Sequence, residues 1–225
     1  MATAEASSQD ETLPEDDRIR RGRKFDQVLD GARTVFLRDG FEGASVDDIA
    51  RVAGVSKATL YSYFPDKRLM FVEMVRTECL RHADDAEALI DQSLPAADVL
   101  RAGARRMVEL LLAEVNLRIF RICVAEADRF PELAAAYYDS GPMLARRRLC
   151  TYFAEAAARG ELAIADPELA ADQFAELCKA DLFTRALFGV GPPATAAEIA
   201  RVAEGAAMTF LTRYGTPLSR GATPQ

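Results

Sequence analysis

Residues 56–63 carry side chains suited to contacts with DNA, and Leu60 is the only large aliphatic one among them. Lys57 supplies a cation for a base edge or a phosphate, and Thr59 and Ser62 can donate or accept hydrogen bonds. Two tyrosines of the same stretch end in hydroxyls that suit phosphate oxygens. A short helix that only filled a core would not have this composition, so the stretch predicts a surface that reads nucleic acid.

The elements that must position these groups are two short helices, predicted over 46–53 and 57–63 and separated only by the turn 54–56. This is the helix-turn-helix arrangement, whose second helix lies in the DNA major groove. Lys67 stands in the first turn of the following helix, where a cation opposes the helix dipole unless a phosphate docks there. Packing of Tyr63 within the domain, and plain solvation of Lys57 or Lys67, are the alternatives.

The charge of the chain is unevenly distributed. The net charge is −7, yet residues 18–82 carry thirteen Lys and Arg against nine Asp and Glu, a charge of +4. The acidic excess lies in residues 1–17, at −6, and in residues 83–225, at −5. This asymmetry favours a polyanion-binding unit joined to a unit with another role.

Residues 40–75 resemble the DNA-binding domain of the tetracycline-repressor (TetR) family of bacterial transcriptional regulators. The motifs that carry the resemblance are Gly40-Phe41, Val46-x-x-Ile49-Ala50, Ala53-Gly54-Val55-Ser56, Thr59-Leu60-Tyr61, Tyr63-Phe64 and Lys67. Residues 120–142 also resemble a C-terminal subclass of that family, more weakly. The resemblance implies homodimers that are usually repressors and leave DNA when a small molecule binds.

Carried over by position, the resemblance assigns DNA contacts to the first unit. It implies base contacts from Lys57, Ala58, Thr59 and Ser62, and phosphate contacts from Ser45, Tyr61, Tyr63 and Lys67. It also implies a basic arm ahead of the first helix, formed by Arg20, Arg21, Arg23 and Lys24.

The predicted fold is all-α, because Ala, Leu, Arg and Glu dominate and no strand-type alternation is sustained. We expect an acidic disordered tail over 1–17, a three-helix helix-turn-helix domain over 18–80, a larger helical effector-binding and dimerisation domain over 81–215, and a tail over 216–225. The acidic N-terminus has no apolar signal core, and no apolar run approaches the roughly 20 residues that span a bilayer, so a cytoplasmic protein is expected.

The C-terminal part contains a candidate ligand pocket around Glu126. Ile119, Ile122, Cys123, Glu126 and Phe130 share one helical face, which places a carboxylate within an apolar stripe. Either Glu126 pairs with an arginine among Arg105, Arg106 and residues 146–148, or it anchors a hydrophobic or weakly cationic ligand. The predicted ligand-binding residues are Phe120, Cys123, Glu126, Tyr137, Met143, Tyr152, Phe174 and Cys178.

The last two predicted helices, 167–188 and 195–213, carry stripes that suggest a dimer interface. Small residues within the second stripe allow close approach of another helix, and one short recognition helix reads too few bases to be specific alone. The predicted interface residues are Leu177, Asp181, Thr184, Phe188, Ile199, Val202, Ala203, Ala206 and Phe210.

Other classes of function are disfavoured by the residues. His82 is the only histidine, no nucleophile has an evident base partner, and Cys79 with His82 gives only two possible metal ligands. No catalytic residues, metal or cofactor are therefore predicted, and the four cysteines suggest reduced thiols. Two alternatives stay open: a helical ligand carrier or enzyme that has lost DNA binding, and an architectural DNA binder without an effector.

Overall fold

In a computed structural model, the chain is described over residues 22–88, 90–91 and 93–220. Eleven α-helices lie in this part: α1 (Arg23–Gly43), α2 (Val46–Ala53), α3 (Lys57–Tyr63), α4 (Lys67–Ala88), α5 (Ala96–Leu112), α6 (Glu114–Glu126), α7 (Pro131–Ser140), α8 (Pro142–Ala158), α9 (Pro167–Leu177), α10 (Leu182–Leu187) and α11 (Ala196–Tyr214). A short 3-10 helix, Pro217–Arg220, follows them. The described residues include no strand, only an isolated bridge between Leu162 and Gly215. The all-α prediction is confirmed. The predicted tail over 1–17 and Arg20 and Arg21 lie outside the described residues.

The first three helices pack closely around a shared apolar centre. A side chain at Gly31 of α1 would place its Cβ 2.7 Å from the Cβ of Ala53, so only glycine lets α1 approach the end of α2 this closely. At the turn into α3, Gly54 takes φ 67°, the left-handed conformation that ends α2. Ser45 and Ser56 cap α2 and α3 by accepting from the backbone N–H three residues on.

The apolar residues of α1–α4 form what we call the N-terminal cluster, which includes Phe25, Phe36, Phe41, Ile49, Leu60, Phe64, Phe71 and Val75. Four residues from later in the chain join it: Ile119 and Cys123 of α6, and Leu133 and Ala136 of α7. The helix-turn-helix unit is therefore packed directly on α6 and α7.

A second set of apolar residues, the C-terminal cluster, lies among α5, α8, α9 and α11 and includes Leu100, Val108, Phe153, Phe174 and Phe210. Thr195 and Glu198 begin α11 with a reciprocal capping box. The Thr195 backbone N–H, Arg185 and the Thr195 hydroxyl all donate to the Glu198 carboxylate, and they lower its pKa to about 2. The start of α11 is thereby fixed against α10.

The single helix predicted over 167–188 is broken in two. Asp181 has φ 61° and ψ −62°, and the N–H of Leu182 donates to the carbonyl of Ala180 at 2.7 Å. These values define a γ-turn of the rare strained type, between α9 and α10. Helix α1 continues to Gly43 beyond Gly40, whose backbone is not helical. In the part of the chain that the structure describes, no helix has the length and apolar character needed to cross a membrane.

Candidate nucleic-acid interface and internal cavity

Helix α3 is held by one face and leaves the other open. Leu60 is fully buried in the N-terminal cluster. Lys57, Ala58, Tyr61 and Ser62 are exposed. The predicted base-contacting side chains therefore stand on the solvent side of a helix whose position is set by its apolar residue.

Lys57 has an intramolecular partner on this surface. Its ammonium group pairs with the carboxylate of Asp47 at the start of α2. The hydrogen bond with Asp47 raises the pKa of Lys57. A bound DNA phosphate or base edge has to compete with Asp47 for this cation.

The remaining predicted contacts of α3 are partly engaged within the protein. Ser56 and Thr59 hydroxyls lie 2.9 Å apart, and the Ser62 hydroxyl donates to the Thr59 carbonyl at 2.6 Å. The Tyr63 ring packs edge-on to Phe25 with centroids 5.9 Å apart. Tyr63 thus contributes to packing of the unit, the alternative that its sequence left open.

Lys67 points toward α1. Its ammonium nitrogen lies 2.7 Å from the Phe41 carbonyl oxygen, 3.1 Å from that of Ala44 and 3.4 Å from that of Glu42. These carbonyls lie at the C-terminal end of α1, where backbone acceptors lack helical partners. A lysine ammonium has three donors, and three carbonyls occupy them.

We therefore expect Lys67→Ala to destabilise the fold more than to weaken phosphate binding. Removing hydrogen bonds from a charged donor should cost about 1–3 kcal/mol of unfolding free energy. The slope of log K for DNA against log salt should stay nearly unchanged, whereas loss of a phosphate contact would reduce it by about 0.9. Urea unfolding and salt titrations measure the two effects.

Arg68→Ala, which removes an exposed cation one position away, is the matched control. If Lys67→Ala reduced the salt slope and left the stability unchanged, Lys67 would be a phosphate contact.

Two further groups flank α3. Ser45 is exposed and caps α2, accepting from Asp48 N at 3.1 Å. Asp48 also pairs with Arg38 and Arg51. Sequence reasoning did not identify this network, because Arg38 lies ten residues away and shows no local pattern. Arg23 is exposed at the start of α1, and Arg21 lies outside the described residues.

A half-open cavity of about 810 Å³ lies in the C-terminal part of the chain, and every helix from α4 to α10 contributes to its wall. Phe120, Cys123, Tyr137 and Met143, all predicted to bind ligand, line this cavity. Cys79 and His82 of α4 line it too. The described residues contain no cluster of three or more His, Cys, Asp or Glu that would suit a metal ion.

Glu126 is not among the residues that line the cavity. Its stripe faces the N-terminal cluster, where Ile119 and Cys123 are buried and Ile122 and Phe130 are partly buried. Cys123 lies at the edge of this stripe and also lines the cavity, whose wall on α6 is otherwise formed by Asn116, Phe120 and Val124. Three arginines considered as partners of Glu126 are paired elsewhere: Arg105 and Arg106 with Glu109, and Arg146 with Asp172.

The other predicted ligand-binding residues lie apart from the large cavity. Tyr152 and Phe174 line a smaller cavity of about 180 Å³ between α5 and α8. Cys178 is buried in the C-terminal cluster. Sequence reasoning missed Asn116, a polar side chain of the large cavity. The sequence signals it only as the single amide side chain of α6, whose other residues are apolar or charged.

The predicted interface residues divide into two groups. Asp181, Thr184 and Phe188 are exposed, and Leu177 and Ile199 are partly exposed. Val202, Ala203, Ala206 and Phe210 are instead buried inside the C-terminal cluster. The exposed face of α11 carries Ala197, Arg201, Gly205, Met208 and Thr212.

Known sequence families match both parts of the chain. Residues 28–74 match the family described as bacterial regulatory proteins, tetR family. Residues 98–216 match the C-terminal domain of the AefR-like transcriptional repressors.

Solved structures and a curated relative agree with these matches. A TetR-family regulator from Mesorhizobium loti is 30% identical, with a TM-score of 0.80 over 86% of this chain and 98% of that one. The flavonoid-responsive regulator FrrA is 34% identical, with a TM-score of 0.72 over 88% and 100%. The transcriptional activator FasR of Mycolicibacterium smegmatis is 33% identical over 92 residues, 41% of this chain and 40% of FasR. The match to this curated relative therefore spans less than half of its length.

Proposed function

The chain belongs to the TetR family of transcriptional regulators, and on that premise we propose that it is a homodimeric repressor released from a palindromic operator by a small molecule. The members of this family are transcriptional regulators and not enzymes. The DNA contacts that we propose come from α2, α3 and the basic arm: Ser45, Lys57, Ala58, Thr59, Tyr61, Ser62, Tyr63, Arg21 and Arg23.

The observation that carries the proposal is the continuity of α4. Met70, Phe71, Met74 and Val75 of this helix are buried in the N-terminal cluster. One to three turns further on, Cys79, His82 and Ala83 line the large cavity. A ligand that moves the second half of α4 must also move the first half, since both belong to one helix. We place the border between the DNA-binding and effector-binding domains within this helix, near residue 80.

The proposed dimer forms through the exposed faces of α10 and α11. Phe188 is 75% exposed and Met208 is 46% exposed. Arg201 of α11 donates to Asp181 at 3.1 Å, which ties the two helices into one surface. Large exposed apolar side chains of this kind favour a protein interface. Two identical recognition helices related by a two-fold axis would read two inverted half-sites.

The direct test is to select bound sequences from random DNA with the full chain and then screen ligands for release. We expect an inverted repeat. Largely apolar compounds should release the DNA. Flavonoids should be screened first, because FrrA is described as flavonoid-responsive. A reporter with the selected site over its promoter should be silenced by the protein and restored by the ligand.

Each part of the proposal has an outcome that contradicts it. A direct repeat, or no consensus, would contradict the symmetric dimer. A ligand that fills the cavity and leaves DNA affinity unchanged would contradict effector control, since equal affinity for both states shifts nothing. A reporter that rises with the protein would make the chain an activator, as FasR is described.

A further inference from the structure

The large cavity has a polar anchor on one wall with unused hydrogen-bonding capacity. The hydroxyl of Tyr137 in α7 donates to Asn116 Oδ1 of α6 at 3.4 Å, and Asn116 Nδ2 donates to the Leu111 carbonyl at 3.5 Å. Both distances exceed the usual range for such bonds, about 2.5–3.2 Å. The Tyr137 hydroxyl can still accept, and the Asn116 amide can still donate. These two groups, the Asn116–Tyr137 pair, are therefore placed to bind a polar group of a guest molecule.

Aromatic rings stand beside this anchor. The Phe120 ring meets the Tyr137 ring edge-on at 5.7 Å and the Phe183 ring edge-on at 5.6 Å. Met107, Leu110 and Leu111 of α5 line the cavity as well. Edge-to-face geometry is the preferred arrangement for further rings. The wall thus favours a guest made largely of aromatic or flat apolar groups.

The charged side chains that line the cavity already neutralise one another. Arg146 Nε donates to Asp172 Oδ1 at 2.9 Å, and Lys179 pairs with Glu176 at 2.5 Å. Both pairs are partly exposed. No ammonium, guanidinium or carboxylate lining the cavity is therefore left to compensate a charged guest, within the part of the chain that the structure describes.

Burial disfavours the charged forms of four other titratable groups of the wall. Burial raises the pKa of the Cys79 thiol to about 11 and that of Cys123 to about 12. Burial also raises the pKa of the Tyr137 hydroxyl and lowers the pKa of His82, whose imidazole lies beside Arg81. A buried charge without a partner is costly, so an ionised guest would lose affinity here.

We propose that the cavity binds an uncharged, largely aromatic molecule that places one hydroxyl or carbonyl group on the Asn116–Tyr137 pair. This inference rests on the proposed function, because it names the chemical class of the effector. It replaces the weakly cationic guest expected from the sequence around Glu126.

The test uses four probes that share one biphenyl skeleton: 4-phenylphenol, biphenyl, biphenyl-4-carboxylate and 4-biphenylylmethylammonium. Calorimetric titration of the full chain at pH 7 should give the tightest binding for 4-phenylphenol. The two charged probes should bind at least about tenfold more weakly, since each would bury an unpaired charge. Biphenyl should bind about five- to tenfold more weakly, because it lacks the hydrogen bond.

Variants then locate the bound hydroxyl group. Tyr137→Phe keeps the ring and removes the hydroxyl, so it should weaken 4-phenylphenol binding about five- to tenfold and leave biphenyl unchanged. Asn116→Ala should have the same selective effect, which provides a second measurement if one variant folds poorly. Tyr138→Phe, at an exposed tyrosine of the same cavity, is the matched control and should change neither affinity.

The inference is overturned if a charged probe binds as tightly as 4-phenylphenol, if neither variant changes the preference over biphenyl, or if no probe binds. DNA release measured with the same probes separates this failure from that of the proposed function. Selective binding of 4-phenylphenol without DNA release would leave the inference standing and contradict the repressor proposal. If a charged probe bound more tightly than 4-phenylphenol and released the DNA, the inference would be overturned and the repressor proposal would stand.

Discussion

Phe210→Ala is expected to lower the free energy of unfolding by about 3–5 kcal/mol, the usual cost of removing a buried ring. The Phe210 side chain is 1% exposed. Its ring lies 5.0 Å from that of Phe153, 5.2 Å from that of Phe174 and 4.8 Å from that of Tyr214. Truncation would leave a cavity walled by these three rings. Urea unfolding followed by circular dichroism, repeated at several protein concentrations, should show the same loss at each.

Phe188→Ala is the matched control for this loss. The sequence predicts Phe188 in the same interface as Phe210, yet Phe188 is exposed directly after the end of α10. Its truncation should change the free energy of unfolding by less than about 0.5 kcal/mol. Sedimentation experiments should show a larger dissociation constant for the dimer. If Phe210→Ala instead weakened only dimerisation, the ring would belong to the interface.

Lys57→Ala is expected to have the largest effect on operator binding. Loss of one base contact costs about 1–3 kcal/mol, and a dimer loses it in both half-sites, which gives about 2–6 kcal/mol. The preference for one base over the others should weaken at one position of each half-site. Competition binding with operator variants measures the affinity and the base preference together. A loss that is equal for all sequences would place Lys57 on a phosphate.

Two variants control for the charge change. Asp47→Ala should strengthen DNA binding, because Asp47 pairs with Lys57 in the free protein and would face phosphates in the complex. Arg105→Ala removes an exposed cation of α5 that pairs with Glu109 and should leave operator affinity unchanged. Weaker binding by Asp47→Ala would mean that the Lys57–Asp47 pair orients the lysine for DNA.

The boundaries of α2 and α3 could be predicted from the sequence because their signals are local. Ser45 and Ser56 accept from N–H groups three residues on, and Gly54 takes the left-handed conformation between the two helices. Each of these interactions involves residues within one turn, so the order of residues alone carries the information.

Helix α11 shows where such prediction stops. The sequence shows that its stripe from Val202 to Phe210 is apolar, but an apolar stripe does not say whether its partner is the same chain or a second one. The structure packs this stripe against α5 and α9. The exposed face of α11, with Gly205 and Met208, gives a weaker signal for an interface in the sequence, because it has fewer apolar residues.

The sequence by itself determined the helical fold, the helix-turn-helix unit and its exposed recognition face, since these depend on helix periodicity and on caps formed between near neighbours. Only the tertiary structure decided the partners of side chains that meet from distant helices. Lys67 meets carbonyls 23–26 residues earlier, and Asn116 meets Tyr137 across 21 residues. Such contacts depend on how whole helices pack, because a long polar side chain binds whichever group the packing brings within reach.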